Sequence, residues 1–252
     1  MVDNGSRDNV EAVITKCSVA RMVREPQPGS YAARNKGIAE SEGVILAFTD
    51  SDCIPAADWI ERGVARLLST PKGGLVGGRI ELFFQNPERP TGVEKYQTLT
   101  AFPQQTYVEK EHFAATANVF TWRRIVDDIG VFNDQLKSGG DREWGCRVYA
   151  AGYDQVYADE VRVDHPARGT LRELAMKSAR CTRSEPGRAT HDAFRSLISY
   201  FLPRVGFVLK AVKEKKIHGV IQPLQFLYIY WVLRTVVLWE RFRQLLGGEP
   251  RR

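Results

Sequence analysis

The sequence predicts an α/β fold: a mixed sheet flanked by helices, followed by a helical appendage. Three observations predict it. Val44-Ile45-Leu46-Ala47-Phe48 is a continuous apolar run of strand length that stops at the acidic turn Asp50-Ser51-Asp52. Behind it, Trp59, Ile60, Val64, Leu67 and Leu68 recur at helical spacing and lead, past Pro71 and the Gly73-Gly74 pair, into a strand from Leu75 to Phe83. Finally, no repeat of solenoid or propeller length is present, which leaves strand and helix in alternation.

In chain order, Val19 to Val23 is a short apolar-rich run, and Glu25-Pro26-Gln27-Pro28-Gly29 breaks it. Ser30 to Ser41 reads as a helix with Ser30 as its cap and Gly43 beyond its end. The next strand, Val44 to Phe48, has the composition of a parallel strand covered on both faces. Further on, Ala114 to Phe120 reads as a strand, Arg123 to Ile129 as a helix closed by Gly130, and Asp141 to Ala151 as a helix closed by Gly152. Two short strands, Gln155 to Ala158 and Val161 to Val163, complete the core, and Thr170 to Cys181 reads as a basic helix. After Pro186-Gly187 the remainder reads as helical, with apolar stretches alternating with Arg204, Lys210, Lys213, Lys215 and Lys216. These breaks place a catalytic domain at 1–183 and an aromatic-rich basic appendage at 184–252.

With 252 residues, 43% hydrophobic and 26% charged, the chain can bury one sizeable core. The net charge of +6 is uneven: 18 Lys/Arg stand against 23 Asp/Glu through Val161, and 18 against 7 thereafter. A basic tail of this kind suits anionic headgroups, nucleic acid or plain water; solvated surface is the default, and no nucleic-acid partner is assigned. The four cysteines, Cys17, Cys53, Cys146 and Cys181, form no CxxC pair, which fits a reducing compartment. The polar start Val2-Asp3-Asn4-Gly5-Ser6 has no signal-peptide pattern, so the expected location is cytoplasmic.

Asp50 and Asp52 are the sharpest chemical feature. Two carboxylates one residue apart at a strand's carboxyl end can share a divalent cation and a ribose or phosphate group. The competing reading is a simple turn with Asp52 capping the next helix. Asp141, after Gly139-Gly140 and at a helix start, reads either as a helix cap or as a general base at the edge of a mobile loop. His165, at a strand end before Pro166, can offer a ring nitrogen to a metal, while His112, His191 and His218 read as structural.

Taken in order, Val2-Asp3-Asn4-Gly5-Ser6, Ala33-Arg34-Asn35-Lys36-Gly37, Phe48-Thr49-Asp50-Ser51-Asp52, Thr116-Ala117-Asn118, Gly139-Gly140-Asp141-Arg142-Glu143 with Arg147, and His165 resemble glycosyltransferase family 2, inverting enzymes of the GT-A fold. The resemblance spans about Met1 to Arg183. It implies a nucleotide-diphosphate sugar donor, foremost a UDP-sugar, with Asp3 and Asn4 at the base, Arg34 and Asn35 beside the nucleotide, and Asp50 near the ribose. It implies that Asp52 and His165 hold Mg²⁺ or Mn²⁺ and that Asp141 is the general base that deprotonates an acceptor hydroxyl.

Two departures from the family pattern stand out. Many members carry Glu before the base, where this chain has Gly140. Members also begin with a strand, a helix and a second strand ahead of the Val-Asp-Asn-Gly-Ser turn; the expectation is therefore a domain whose first strands are missing, and whose activity as this polypeptide is in doubt.

The stretch Leu224 to Trp239 is rich in aromatics but interrupted by Gln225 and Arg234, after Gln222-Pro223, which makes it a poor transmembrane span. It reads equally as a helix lying on a membrane surface, which would serve lipid-linked acceptors of glycolipid, polysaccharide or cell-envelope synthesis, and as a helix packed on the domain. A haloacid-dehalogenase-type phosphotransferase also uses Asp-x-Asp after an apolar strand, but leaves the Gly-Gly-Asp and Arg-Asn-Lys-Gly segments unexplained. The other alternative is a non-catalytic, degenerate glycosyltransferase domain acting as a membrane or partner scaffold.

Overall fold

A computed structural model describes residues 1–17, 20–182, 213 and 221–246. The Pro186-Gly187 break, Arg204, Lys210, Lys215, Lys216, His191 and His218 lie outside the described residues. The chain divides into two compact units, Met1–Glu81 with Pro103–Asp164, and Leu82–Phe102 with His165–Arg252.

The first unit begins with β1 (Val2–Asp3), α1 (Val10–Ile14), β2 (Val23–Arg24) and α2 (Ser30–Glu40). β1 and β2 pair in parallel, Val2 with Val23 and Asp3 with Arg24. Gly29, with φ of 142°, stands at the cap of α2 in place of the expected Ser30, and no side chain caps that end. Asn4 organises the entry instead: its Nδ2 donates to the carbonyls of Glu25 and Gln27, both at 2.7 Å, and its Oδ1 accepts the Gly29 N–H at 2.8 Å.

β3 (Ile45–Thr49), β4 (Ile54–Pro55), α3 (Trp59–Leu68), β5 (Gly73–Phe83), β6 (Asn118–Trp122) and β7 (Asp154–Pro166) supply a five-stranded sheet in the order β3-β6-β5-β7-β4. β3 is not the doubly covered parallel strand that its composition suggests. It is a terminal strand of this sheet, antiparallel to β6, and Val44 just before it is 72% exposed. The reading of two short strands at 155–163 is likewise corrected, because β7 runs unbroken through Asp159-Glu160, whose side chains are both exposed. The sheet packs against α5 (Gln104–Glu111), α6 (Arg123–Ile129) and α7 (Gly140–Ala150) through a core that includes Leu75, Val108, Val119, Ile125, Trp144 and Val148. Burying such side chains stabilises the unit by about 1.5–3 kcal/mol each.

At the start of β6 sits a fully buried polar knot. Asn118 Nδ2 donates to the carbonyls of Arg79 (2.9 Å) and Val161 (2.8 Å), and its Oδ1 accepts the indole N–H of Trp59 (2.9 Å). One amide thereby ties β5, β7 and α3 together with its polar atoms satisfied. Gly78 is required beside it: a Cβ there would lie 2.3 Å from the Val161 carbonyl and 2.4 Å from Asn118 Nδ2.

In the second unit, α4 (Gly92–Gln97), α8 (Leu171–Thr182) and α9 (Ile221–Leu245) enclose a separate small core of Tyr96, Leu174, Phe226 and Ile229. Thr91 and Glu94 form a reciprocal capping box that starts α4. α9 covers 25 residues and includes Pro223. Its Ile221–Gln244 stretch is long and apolar enough to cross a membrane by length and composition, with mean hydropathy 1.2.

Candidate functional site

The site is assembled from the ends of strands and the starts of helices. β3 delivers the chain into the turn Asp50-Ser51-Asp52, closed by the Cys53 N–H donating to the Asp50 carbonyl at 3.1 Å. The following helix begins only at Trp59, with Asp58 at its cap, so Asp52 does not cap it. β4 then pairs antiparallel with β7, Ile54 opposite Asp164 and Pro55 opposite Val163. Asp52 and Cys53 lie in the first unit, and His165 opens the second unit's part of β7.

Each member of this trio has a distinct environment. Asp52 is exposed, while His165 is 4% exposed. The His165 Nδ1 lies 2.8 Å from the Pro166 carbonyl, which can only accept, so in the neutral ring Nδ1 is the nitrogen that carries the proton and Nε2 the one left to bind a metal. Burial, reinforced by the Asp50 carboxylate, pushes the Cys53 thiol up to about 11, which keeps it protonated at neutral pH. A carboxylate and a neutral imidazole are a fitting pair for a divalent cation.

α2 carries the next group of residues. The Arg34 guanidinium lies 2.7 Å from Asp50 Oδ1, and both side chains are largely shielded, at 18% and 35% exposure. Asn35 makes a two-bond clasp with the backbone of Phe132: its Nδ2 donates to the carbonyl at 2.8 Å and its Oδ1 accepts the N–H at 3.0 Å. This clasp holds the loop after α6 against α2.

Asp141 stands in the first turn of α7, but Gly139, in the left-handed region at φ of 75°, occupies the cap. The capping alternative for Asp141 is therefore not what is seen. Its Oδ1 accepts the Arg142 N–H at 3.0 Å and lies 3.4 Å from the Tyr31 hydroxyl, which itself accepts the Gly140 N–H at 2.8 Å. Desolvation raises the Asp141 carboxyl above its ordinary value, against the lowering effect of the Arg142 N–H and of the Arg34 charge. Burial, with Asp141 alongside, pushes the Tyr31 phenol up to about 12, so it stays protonated. Arg34, whose guanidinium also sits 5.6 Å from the centre of the Tyr31 ring, thus electrostatically links Asp50 to Asp141.

Asp3 is engaged locally, accepting the Ser6 N–H at 2.9 Å, and Asn4 holds the approach to α2 as described. Arg147 is structural: it donates to the carbonyls of Ile129 (2.6 Å) and Val131 (2.7 Å) and pairs with Glu143. Tyr31 and Cys53 are the residues that sequence reasoning did not single out. Cys53 was signalled by its position next to Asp52; nothing in the sequence signals Tyr31, whose partner lies 110 residues away.

A family model described as glycosyl transferase family 2 matches residues 1–130. The chain belongs to that family. Glycosyltransferase AglE of Haloferax volcanii is 39% identical over 190 residues, a match covering 73% of this chain and 61% of AglE. A pre-mycofactocin glycosyltransferase of Mycobacterium tuberculosis is 26% identical over 186 residues, covering 71% of this chain and 39% of that protein. The chain thus spans about three fifths or less of the length of these relatives. Among solved structures, the mannosyltransferase PcManGT of Pyrobaculum calidifontis, in complex with GDP-Man and Mn²⁺, matches with a TM-score of 0.52 at 18% identity over 98% of this chain and 64% of its own. GalNAc-T7, solved with UDP, GalNAc and Mn²⁺, matches with a TM-score of 0.51 at 17% identity over 66% of this chain and 37% of its own. These likenesses show the fold, GT-A, that the motif order implied.

Proposed function

We propose that this family 2 chain carries out metal-dependent transfer of a sugar from a nucleotide-diphosphate donor to an acceptor hydroxyl, with inversion. The observation that carries the reading is the Asp141–Arg34–Asp50 cluster: a desolvated carboxylate and a strand-end carboxylate joined by one guanidinium. The two aspartates would divide the work. Asp50, steered by Arg34, positions the donor ribose, while Asp141, held in a less polar setting, takes the proton of the acceptor hydroxyl. The acceptor oxygen forms its bond to the anomeric carbon as the bond to the diphosphate breaks; the bonding pair leaves with the diphosphate and the proton stays on Asp141. One displacement at one centre inverts it, and no covalent enzyme intermediate is needed.

Asp52 and His165 would hold the divalent cation, which when bound offsets charge growing on the leaving diphosphate. An imidazole nitrogen in the donor set favours Mn²⁺ over the harder Mg²⁺. The donor is proposed as a UDP-sugar, with Asp3 and Asn4 on the side of the base. The segment 1–183 is assigned as the catalytic part and 184–252 as an appendage.

α9 supports a second element of this reading. Its inner face contributes Phe226 and Ile229 to the small core, whereas Ile221, Leu224, Tyr228, Trp231, Trp239 and Phe242 form an outer stripe, each at least 52% exposed. Such a stripe suits the cytoplasmic surface of a bilayer, which would place the protein beside lipid-linked acceptors. Flotation with anionic vesicles tests this: recovery with the vesicles supports it, and recovery only in the soluble fraction removes it.

The activity is tested by incubating the protein with Mn²⁺ and a panel of nucleotide-sugars while following nucleoside-diphosphate release, for wild type and Asp141→Asn. Metal-dependent release by wild type and its loss in the variant is the expected result. Release of equal size in both would overturn the assignment of Asp141, and no release by a folded protein with any donor would favour the scaffold alternative.

A further inference from the structure

Where many family members carry Glu before the base, this chain has Gly140, and Tyr31 occupies the space. A Cβ on Gly140 would lie 2.8 Å from Cε2 and from Cζ of the Tyr31 ring, closer than such contacts permit. The ring is 5% exposed and fixed on two sides, stacked on Phe132 with centroids 6.0 Å apart and covered by the Arg34 guanidinium. Its hydroxyl accepts the Gly140 N–H at 2.8 Å. An oxygen that has accepted that bond still has one proton to donate, and the Asp141 Oδ1, 3.4 Å away, is the acceptor it faces.

We propose that Tyr31 is the positioning residue for Asp141: its hydroxyl, anchored by the Gly140 N–H, sets the direction and the proton affinity of the carboxylate that receives the acceptor's proton. The proposal rests on the base assignment above and adds to it a residue on another element. The charged and titratable groups acting on Asp141 are Arg34 and Tyr31, both from α2, and the Arg142 backbone N–H of its own helix adds a hydrogen bond. Removing the phenol proton takes one donor from the carboxylate, which disfavours its charged form. The ionisation of the base must then move upward in pH. The same deletion frees the Asp141 side chain to rotate, so transfer slows without loss of donor binding.

The test is Tyr31→Phe in the full chain, which keeps the ring packed on Phe132 and Arg34 and deletes only the hydroxyl. The expected result is a fall in kcat of about tenfold, with donor KM changed by less than about twofold. The acid limb of the kcat/KM profile should also move to higher pH, a change that loss of packing alone does not produce. Gly140→Ala, whose Cβ displaces the ring, should shift the profile in the same direction. Wild-type kcat and an unmoved acid limb in Tyr31→Phe would overturn the proposal while leaving the base assignment intact. Should wild type show no transfer, the activity reading fails separately, and the proposal is then read from carboxylate NMR: an Asp141 titration unmoved by Tyr31→Phe overturns it, and an upward shift supports it.

Discussion

Asp141 and Asp52 are the same side chain placed in opposite surroundings. Asp141 lies half-buried beneath a tyrosine that is itself 5% exposed, and desolvation raises its carboxyl. Asp52 stands exposed in a turn, next in sequence to Cys53. In the proposed function, burial would suit one carboxylate to take up a proton and exposure would suit the other to hold a cation. The contrast teaches that what sets the two acids apart lies in the neighbouring elements, α2 over Asp141 and the open turn after β3 around Asp52, and not in the aspartates.

The contrast can be tested from either end. Replacing Asp141 by Asn should lower kcat by about 10²–10⁴, the contribution typical of a positioned general base, measured as diphosphate release under saturating donor. The same substitution should raise Tm at neutral pH. Because the folded-state carboxyl is raised above 3.8, its ionised form costs stability once pH exceeds the unfolded value, and the amide removes that cost. The gain should shrink as pH falls toward 3.8 and vanish below it.

At the other end, Asp52→Ala should weaken Mn²⁺ binding, measured by calorimetry, by at least the roughly 10–100-fold loss that follows removal of merely supporting residues. Chelation should abolish transfer and added Mn²⁺ restore it in wild type. Asn35→Ala should leave the Phe132 backbone N–H and carbonyl without their partners and destabilise the fold by about 2 kcal/mol, read from denaturant unfolding. The smallest effect is expected from Arg34→Lys, which keeps the charge but loses the planar fork beside Asp50 and the Tyr31 ring: a rise in donor KM of about fivefold, or about 1 kcal/mol.

Much of the architecture was legible from periodicity and breakers. The helix Arg123–Ile129 closed by Gly130, the helix from Trp59, and the strand ending at Phe83 all lie where apolar spacing and glycines put them. Others were hidden for physical reasons. α5, Gln-Gln-Thr-Tyr-Val-Glu-Lys-Glu, has almost no apolar stripe, and its helicity depends on burying Gln104 and Val108. α4 is only 6 residues long, although its Thr91 and Glu94 are a capping-box signature in the sequence. β3 shows the limit of composition, since an apolar run signals a strand without saying that both of its faces are covered. In the candidate site, the residues proposed to bear chemistry stood out by type and spacing, whereas Tyr31 meets Asp141 through a contact that only the folded chain creates.

The amide of Asn118 imposes a rule on how this sequence can change. Trp59, Asn118 and Gly78 come from α3, β6 and β5, yet each occupies the space or the hydrogen bond that another leaves. Substituting any one strands a buried donor or acceptor, or drives an atom into the Val161 carbonyl. Drift at these three positions should therefore be correlated: a lineage that replaces one must pass through an impaired intermediate or replace its neighbours together.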